Sequence, residues 1–179
     1  MMLDRITNQP VIETERFDLR PLRKSDQGLV AMYCGDPRVA NNTRAIPNPL
    51  PPGATEAFIN RALSVDRVAD VWAIDGTKSD GPEVMGLISL ERVDHDQSEI
   101  SYWVAPAFWN TGLASQAVTA LIGANPQRCK TLFAEVFQDN AASARVLTNC
   151  GFVYLGDAET FSVARNAKVA TWTYSRKLD

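Results

Sequence analysis

The stretch FWNTGLASQA, residues 108–117, places one glycine among small and polar residues, between a tryptophan and the first turn of an apolar helix pattern. Asn110, Thr111, Gly112, Leu113, Ala114 and Ser115 offer backbone N–H groups and no acidic side chain, so an anion can come close to the helix start. That chemistry suits a phosphate. A tight strand-to-helix turn, with Gly112 supplying an unusual backbone angle, explains the same letters without a ligand. The flanking chain decides between the two.

Upstream, DVWAID, EVMGLISLERV and EISYWVAP begin at Asp70, Glu83 and Glu99 and are rich in β-branched and aromatic residues. The short breaks GTKSDGP and DHDQS give them the spacing of an antiparallel meander. Downstream, Ala114, Ala117, Val118, Leu121 and Ile122 recur on one helical face until Asn125-Pro126. TLFAEVF is the next strand. DNAASARVLTNCG then reads as a helix that starts at Asp139 or Asn140, turns Val146 and Leu147 inward and stops at Gly151. FVYLGDAETFSVA and VATWTYSRKL close the chain as a hairpin turning near residues 165–168. Before the meander, RFDLRPL alternates as a half-buried strand with Asp18, Arg20 and Leu22 on its second face. A first helix follows, capped by Ser25 or Asp26 and stopped at Gly35-Asp36-Pro37. Residues 41–53 form a proline-rich loop, and Thr55 caps a second helix that runs to about Val65.

This order predicts a mixed α/β (α+β) fold with one parallel crossover around the helix of residues 112–124. The anion-ready turn then lies at the carboxyl end of a strand, where ligands bind in such sheets. With 179 residues the chain has room for a single domain spanning 1–179. Its 18 Lys and Arg against 21 Asp and Glu leave no basic excess for a nucleic acid. No apolar run reaches membrane-spanning length, and the opening MMLDRITNQPVIETER is polar and unlike a leader. Cys34, Cys129 and Cys150 are odd in number and far apart, and His95 is the only histidine. Neither a disulfide framework nor a metal site is indicated, which suits the cytoplasm.

Three segments taken together, ETERFDLRPLRKSD at 13–26, EISYWVAPAFWNTGLASQA at 99–117 and NAASARVLTNCGF at 140–152, resemble the GNAT superfamily of acyl-CoA-dependent N-acetyltransferases. They are most similar to its branch of ribosomal-protein N-terminal amine acetyltransferases. The resemblance implies a mixed central sheet, mostly antiparallel with one splayed parallel strand pair, flanked by about four helices. The superfamily's pyrophosphate loop reads Q/R-x-x-G-x-G/A, and commonly W-G-x-G-x-A in this branch. Here it is Trp109, Asn110, Thr111, Gly112, Leu113, Ala114, with Asn110 at a glycine position that asparagine can fill in the left-handed conformation. By this likeness Trp109 to Ser115 bind acetyl-CoA, with the amides from Thr111 to Ser115 on its pyrophosphate. The backbone of Trp103 and Val104 would pair with the pantetheine arm, and Asn140 would contact the same arm. EISYWV also reads as an ordinary core strand, and Asn140 and Ser143 as an N-cap and a first-turn polar residue.

Acetyl transfer to an amine needs a base, because alkyl amines are protonated near neutrality. Glu99, on the strand that leads to the loop, is the candidate, acting directly or through water. A strand-end carboxylate paired with Arg92 is the plainer reading. A backbone N–H near Val104 can meet the oxyanion. Many superfamily members protonate the departing thiolate with a tyrosine at the position of Leu147, so Ser143 is the candidate acid here and Tyr154 a reserve. The proline-rich loop with Arg44 and Ile46 resembles the acceptor-facing loop. His95, between Asp94 and Asp96, reads as an exposed turn residue. The expected activity moves acetyl from acetyl-CoA to a primary amine, a protein N-terminal α-amine or similar, by direct attack in a ternary complex. A small-molecule or antibiotic amine N-acetyltransferase and a CoA-binding module without turnover are the alternatives. No metal is called for, and the terminal hairpin offers a sheet edge for a homodimer.

Overall fold

The computed structural model describes residues 9–178; of the polar opening segment, residues 1–8 lie outside them. The strands are β1 (Ile12–Glu13), β2 (Asp18–Pro21), β3 (Ala69–Asp75), β4 (Gly86–Asp94), β5 (Gln97–Val104), β6 (Thr131–Phe137), β7 (Val153–Ser162) and β8 (Ala167–Lys177). The helices are α1 (Gln27–Cys34), α2 (Pro37–Ala40), α3 (Ala54–Leu63), α4 (Leu113–Ala124) and α5 (Ala141–Asn149). The strands form one sheet in the order β1-β2-β3-β4-β5-β6-β8-β7. Every neighbouring pair is antiparallel except β5 with β6, which α4 connects as a crossover.

Apolar residues cover both faces of the sheet. On one face Trp72, Ile88, Ile100 and Leu132 pack with Leu113, Val118 and Leu121 of α4 and with Leu147 of α5. On the other, Val71, Ala73 and Leu87 pack with Val30 and Cys34 of α1 and with Ile59 and Ala62 of α3. The two-residue period of β3 sends Val71 and Ala73 one way and Trp72 and Ile74 the other. Burying a side chain such as Leu121 or Leu147 contributes about 2 kcal/mol, so the helices bind the sheet chiefly through these stripes.

The structure departs from the sequence reading at several points. Against about four helices expected, the described residues hold five, because Gly35-Asp36-Pro37 ends α1 and immediately restarts the chain as the short α2. Asp36 caps the short α2 by accepting from the Arg38 amide at 2.9 Å, with Pro37 in the first helical position. The short edge strand β1 also had no distinct pattern. Thr55 does not cap α3, since Gly53 precedes that helix with φ 78° and Thr55 is buried. Asp26 holds the N-cap position of α1, as expected, but its side chain makes no capping bond there. Its buried carboxylate accepts from Arg20 Nη1 at 3.0 Å, from Arg20 Nη2 at 2.8 Å and from the Arg23 amide at 2.8 Å. Arg20, expected on an exposed strand face, is buried and also donates to Asp75 at 2.7 Å. Both faces of β2 are covered, and paired charges make that burial tolerable.

Gly86 fixes the approach of β4 to β5. A Cβ there would meet the Trp103 carbonyl oxygen at 2.3 Å and the Val104 Cα at 3.0 Å. Gly86→Ala is therefore expected to push the strands apart and destabilise the protein by about 2 kcal/mol, read from the urea midpoint. An unchanged midpoint would contradict this contact.

Candidate active site

β5 and β6 are in register at only three pairs, Gln97 with Thr131, Ser98 with Leu132 and Glu99 with Phe133. Beyond Glu99, β5 stays with β4 and β6 stays with β8, so the two strands diverge. The opening widens into a cleft of about 1020 Å³. Trp103, Val104, Trp109, Asn110, Gly112, Leu113, Ala114, Ser115, Asn140 and Ser143 line it, so most of the residues singled out in the sequence converge. Glu99 instead stands at the vertex, in the last pair of the ladder.

The loop before α4 is braced from three sides. Trp109 Nε1 donates to the Val104 carbonyl at 2.7 Å, Thr111 Oγ1 to the Phe108 carbonyl at 2.6 Å, and Arg16 Nη1 to the Thr111 carbonyl at 2.9 Å. Asn110 and Gly112 both take left-handed conformations, φ 61° and 77°. The asparagine thus keeps the backbone shape that glycine would supply. Gly112 occupies the N-cap position without a capping side chain, and the first N–H bonded back is that of Gln116, to the Gly112 carbonyl at 3.0 Å. Among the described residues the amides from Thr111 to Ser115 find no acceptor. Nothing lies within 4 Å of a Cβ built on Gly112, so the space above these amides is open. Unsatisfied N–H groups at the positive end of a twelve-residue helix attract an anion.

Leu113 is buried in the core and anchors the loop from below, and the Ser115 carbonyl lies 3.6 Å from Cys150 Sγ. Cys150 is half-buried between α4 and α5, not fully enclosed. Trp103 turns its carbonyl toward Gly86 on β4 and sets its indole edge-on to Tyr33, with ring centroids 6.1 Å apart.

Asn140 does cap α5, its Oδ1 accepting from the Ser143 amide at 3.4 Å. Its Nδ2 has no acceptor among the described residues, so the cap leaves a donor for a ligand. Ser143 Oγ lies 3.0 Å from the Tyr102 hydroxyl, which also donates to the Ser143 carbonyl at 3.3 Å. Burial pushes the Tyr102 hydroxyl well above the usual tyrosine range, so it holds its proton at neutral pH. Within EISYWV, Tyr102 reads from the sequence only as part of a core strand. Its position is nevertheless legible, as the one hydroxyl-bearing aromatic in the strand before the loop. Leu147 is fully buried, and Tyr154 lies on β7, bonded to Asp157 at 2.6 Å and away from the cleft.

The opposite face of the opening carries charge. Glu99 does not pair with Arg92. The register sets it opposite Glu91, and Arg92 donates to the Gln127 carbonyl at 2.5 Å. Glu99 forms its ion pair with Arg44 of the proline-rich loop. Arg44 Nη1 also lies 3.7 Å from Glu135 Oε1 on β6. Glu135 Oε2 accepts from Thr171 Oγ1 at 3.1 Å, while the buried Oε1 has no hydrogen bond. Glu135 was missed in the sequence, although it is the one charged residue in TLFAEVF. His95 is an exposed turn residue, its side chain 78% accessible. Among the described residues no three His, Cys, Asp or Glu side chains cluster as metal ligands, and no helix is long and apolar enough to cross a membrane.

Comparison with known proteins agrees with this geometry. Residues 16–153 match the family model described as the acetyltransferase (GNAT) domain. The chain is 26% identical over 175 residues to the uncharacterized N-acetyltransferase YoaA of Bacillus subtilis (strain 168), covering 93% of this chain and 96% of that protein. The fold superposes with a TM-score of 0.78 on RimL, a ribosomal L7/L12 α-N-protein acetyltransferase in complex with coenzyme A, at 17% identity over 95% of this chain and 99% of that one. A spermidine N-acetyltransferase from Vibrio cholerae, in complex with CoA and spermine, gives a TM-score of 0.76 at 15% identity, covering 92% and 96% of the two chains. A sheet that opens after three parallel pairs, beside a loop of unsatisfied amides, accounts physically for the match: the chain belongs to the GNAT acetyltransferase family and is an acetyl-CoA-dependent acyltransferase.

Proposed function

We propose that the cleft transfers acetyl from acetyl-CoA to a primary amine by direct attack, with both substrates bound together. One observation carries the reading: the sheet parts next to amides that the chain itself leaves without acceptors. The amides from Thr111 to Ser115 take the pyrophosphate, and the Asn140 side-chain amide and the Val104 N–H align the pantetheine arm, since the Trp103 backbone expected to share that task faces β4. The thioester then enters the opening from the α4 and α5 side, and the amine arrives from the side of the proline-rich loop. Glu99, working through water from the vertex, accepts the ammonium proton. The amine nitrogen bonds to the carbonyl carbon, its remaining ammonium proton passes to water in the cleft, the C–S bond breaks, and Ser143 Oγ gives its proton to the departing sulfur and is reprotonated from that water through the hydrogen-bonded Tyr102 hydroxyl.

The acceptor is the α-amine of a protein N-terminus or an amine of similar form, a reading supported by the segment resemblance to that branch. Thiol release from acetyl-CoA with N-terminal peptides, polyamines and amino sugars tests it. The highest kcat/KM is expected with a peptide. A polyamine or amino sugar that outpaces every peptide would replace this acceptor with a small molecule. Tight acetyl-CoA binding with no release for any amine would make the protein a CoA-binding module.

A further inference from the structure

We propose that the Arg44 guanidinium is a resident substitute for the acceptor's cation: it occupies the place of the incoming ammonium between Glu99 and Glu135, and acceptor binding displaces it. The inference rests on the amine-acceptor reading and names the feature that selects the amine. Glu99 and Glu135 come from the two strands that part, and Arg44 reaches them from a third segment. The guanidinium serves the pair unequally. It bonds Glu99, yet its Nη1 remains 3.7 Å from Glu135 Oε1, which is buried and has no hydrogen-bond donor.

Held from its loop, this guanidinium bonds one carboxylate and falls short of the other, whereas an ammonium carries three donors on a single nitrogen that can sit between the two. Charge points the same way. Two carboxylates share one guanidinium, and Glu91, which lines the cleft opposite Glu99 in the register, adds another negative group. A site with surplus negative charge favours a further cation.

Arg44 is also built to leave. Its side chain is 42% accessible against 22% for Glu99 and 18% for Glu135, so it returns to water more easily than either carboxylate. Its backbone stays in place, because the Arg44 carbonyl accepts from the Val163 amide at 2.9 Å and the nearby Asn41 carbonyl accepts from Arg165 Nε at 2.9 Å. Swinging out one side chain exposes Glu99 to the acceptor's proton and gives Glu135 its missing donor. Acceptors with an anionic group next to the amine are disfavoured, since that group would face the same carboxylates.

Calorimetric titration of n-butylammonium and methylguanidinium into wild-type, Arg44→Ala, Arg44→Gln and Arg44→Ala/Glu135→Gln proteins tests the displacement without turnover. Both Arg44 variants are expected to bind these cations roughly tenfold more tightly than wild type, the order of one charge-assisted hydrogen bond. The added Glu135→Gln change is expected to remove the gain. Equal or weaker cation binding in either Arg44 variant would overturn the proposal and assign Arg44 a different role. Acetyl-CoA titration of the same samples separates the two readings: its failure in the wild-type protein sinks the acetyl-transfer reading, whereas the cation result stands or falls alone.

Discussion

Gly112→Asp is expected to weaken acetyl-CoA binding by at least about 100-fold, or about 2.7 kcal/mol, with little change in folding stability. The added side chain meets nothing within 4 Å, so no packing is disturbed. At φ 77° a Cβ costs about 1 kcal/mol, and aspartate is among the residues that pay least there. A carboxylate there sits close to the positive end of α4, an attraction that offsets part of that cost. The same carboxylate gives the anion site a fixed negative charge, which repels the pyrophosphate. Gly112→Asn separates charge from shape, since it has similar backbone tolerance and no charge, and a much smaller loss is expected. Isothermal titration reads both variants. Wild-type affinity in Gly112→Asp would show that these amides do not bind the coenzyme.

Ser143→Ala is expected to lower kcat about 100-fold with the KM for acetyl-CoA little changed, the range found when a positioned proton donor is removed. Tyr102→Phe is expected to cost less, about tenfold, because the serine can still give its own proton but loses the group that restores it. The two hydroxyls are 3.0 Å apart and act on one proton, so the double variant is expected to be no slower than Ser143→Ala alone. The buried Tyr102 hydroxyl is held far above the usual tyrosine range, so its proton is present throughout the neutral region. Steady-state kinetics of the three variants decide the matter. Multiplying losses in the double variant would mean that the hydroxyls act independently, and an unchanged kcat in Ser143→Ala would remove the serine from the proton path.

Periodicity exposed the elements that bury one clear face. TLFAEVF coincides with β6, and the stripe from Ala114 to Ile122 coincides with α4. Gly151 ends the α5 segment with φ 86°, as its position required. The loop amides were legible because their chemistry is local, a helix start with small residues and no acid. What escaped is what depends on distant partners. Alternation could not place Arg20, because β2 is covered on both faces and its charge is met by Asp26 and Asp75. Glu99 and Arg44 are 55 residues apart, and Tyr102 and Ser143 are 41 apart, so neither pairing leaves a trace in spacing. The parting of β5 from β6 entered only through the family resemblance, since both strands read as continuous.

A crystal structure of the protein saturated with acetyl-CoA tests the central claim most directly. The expected result puts pyrophosphate oxygens within hydrogen-bond reach of the amides between Thr111 and Ser115, and the thioester in the opening beyond Glu99, beside Ser143. A coenzyme seated elsewhere, or a pyrophosphate held by side chains with those amides turned away, would contradict it.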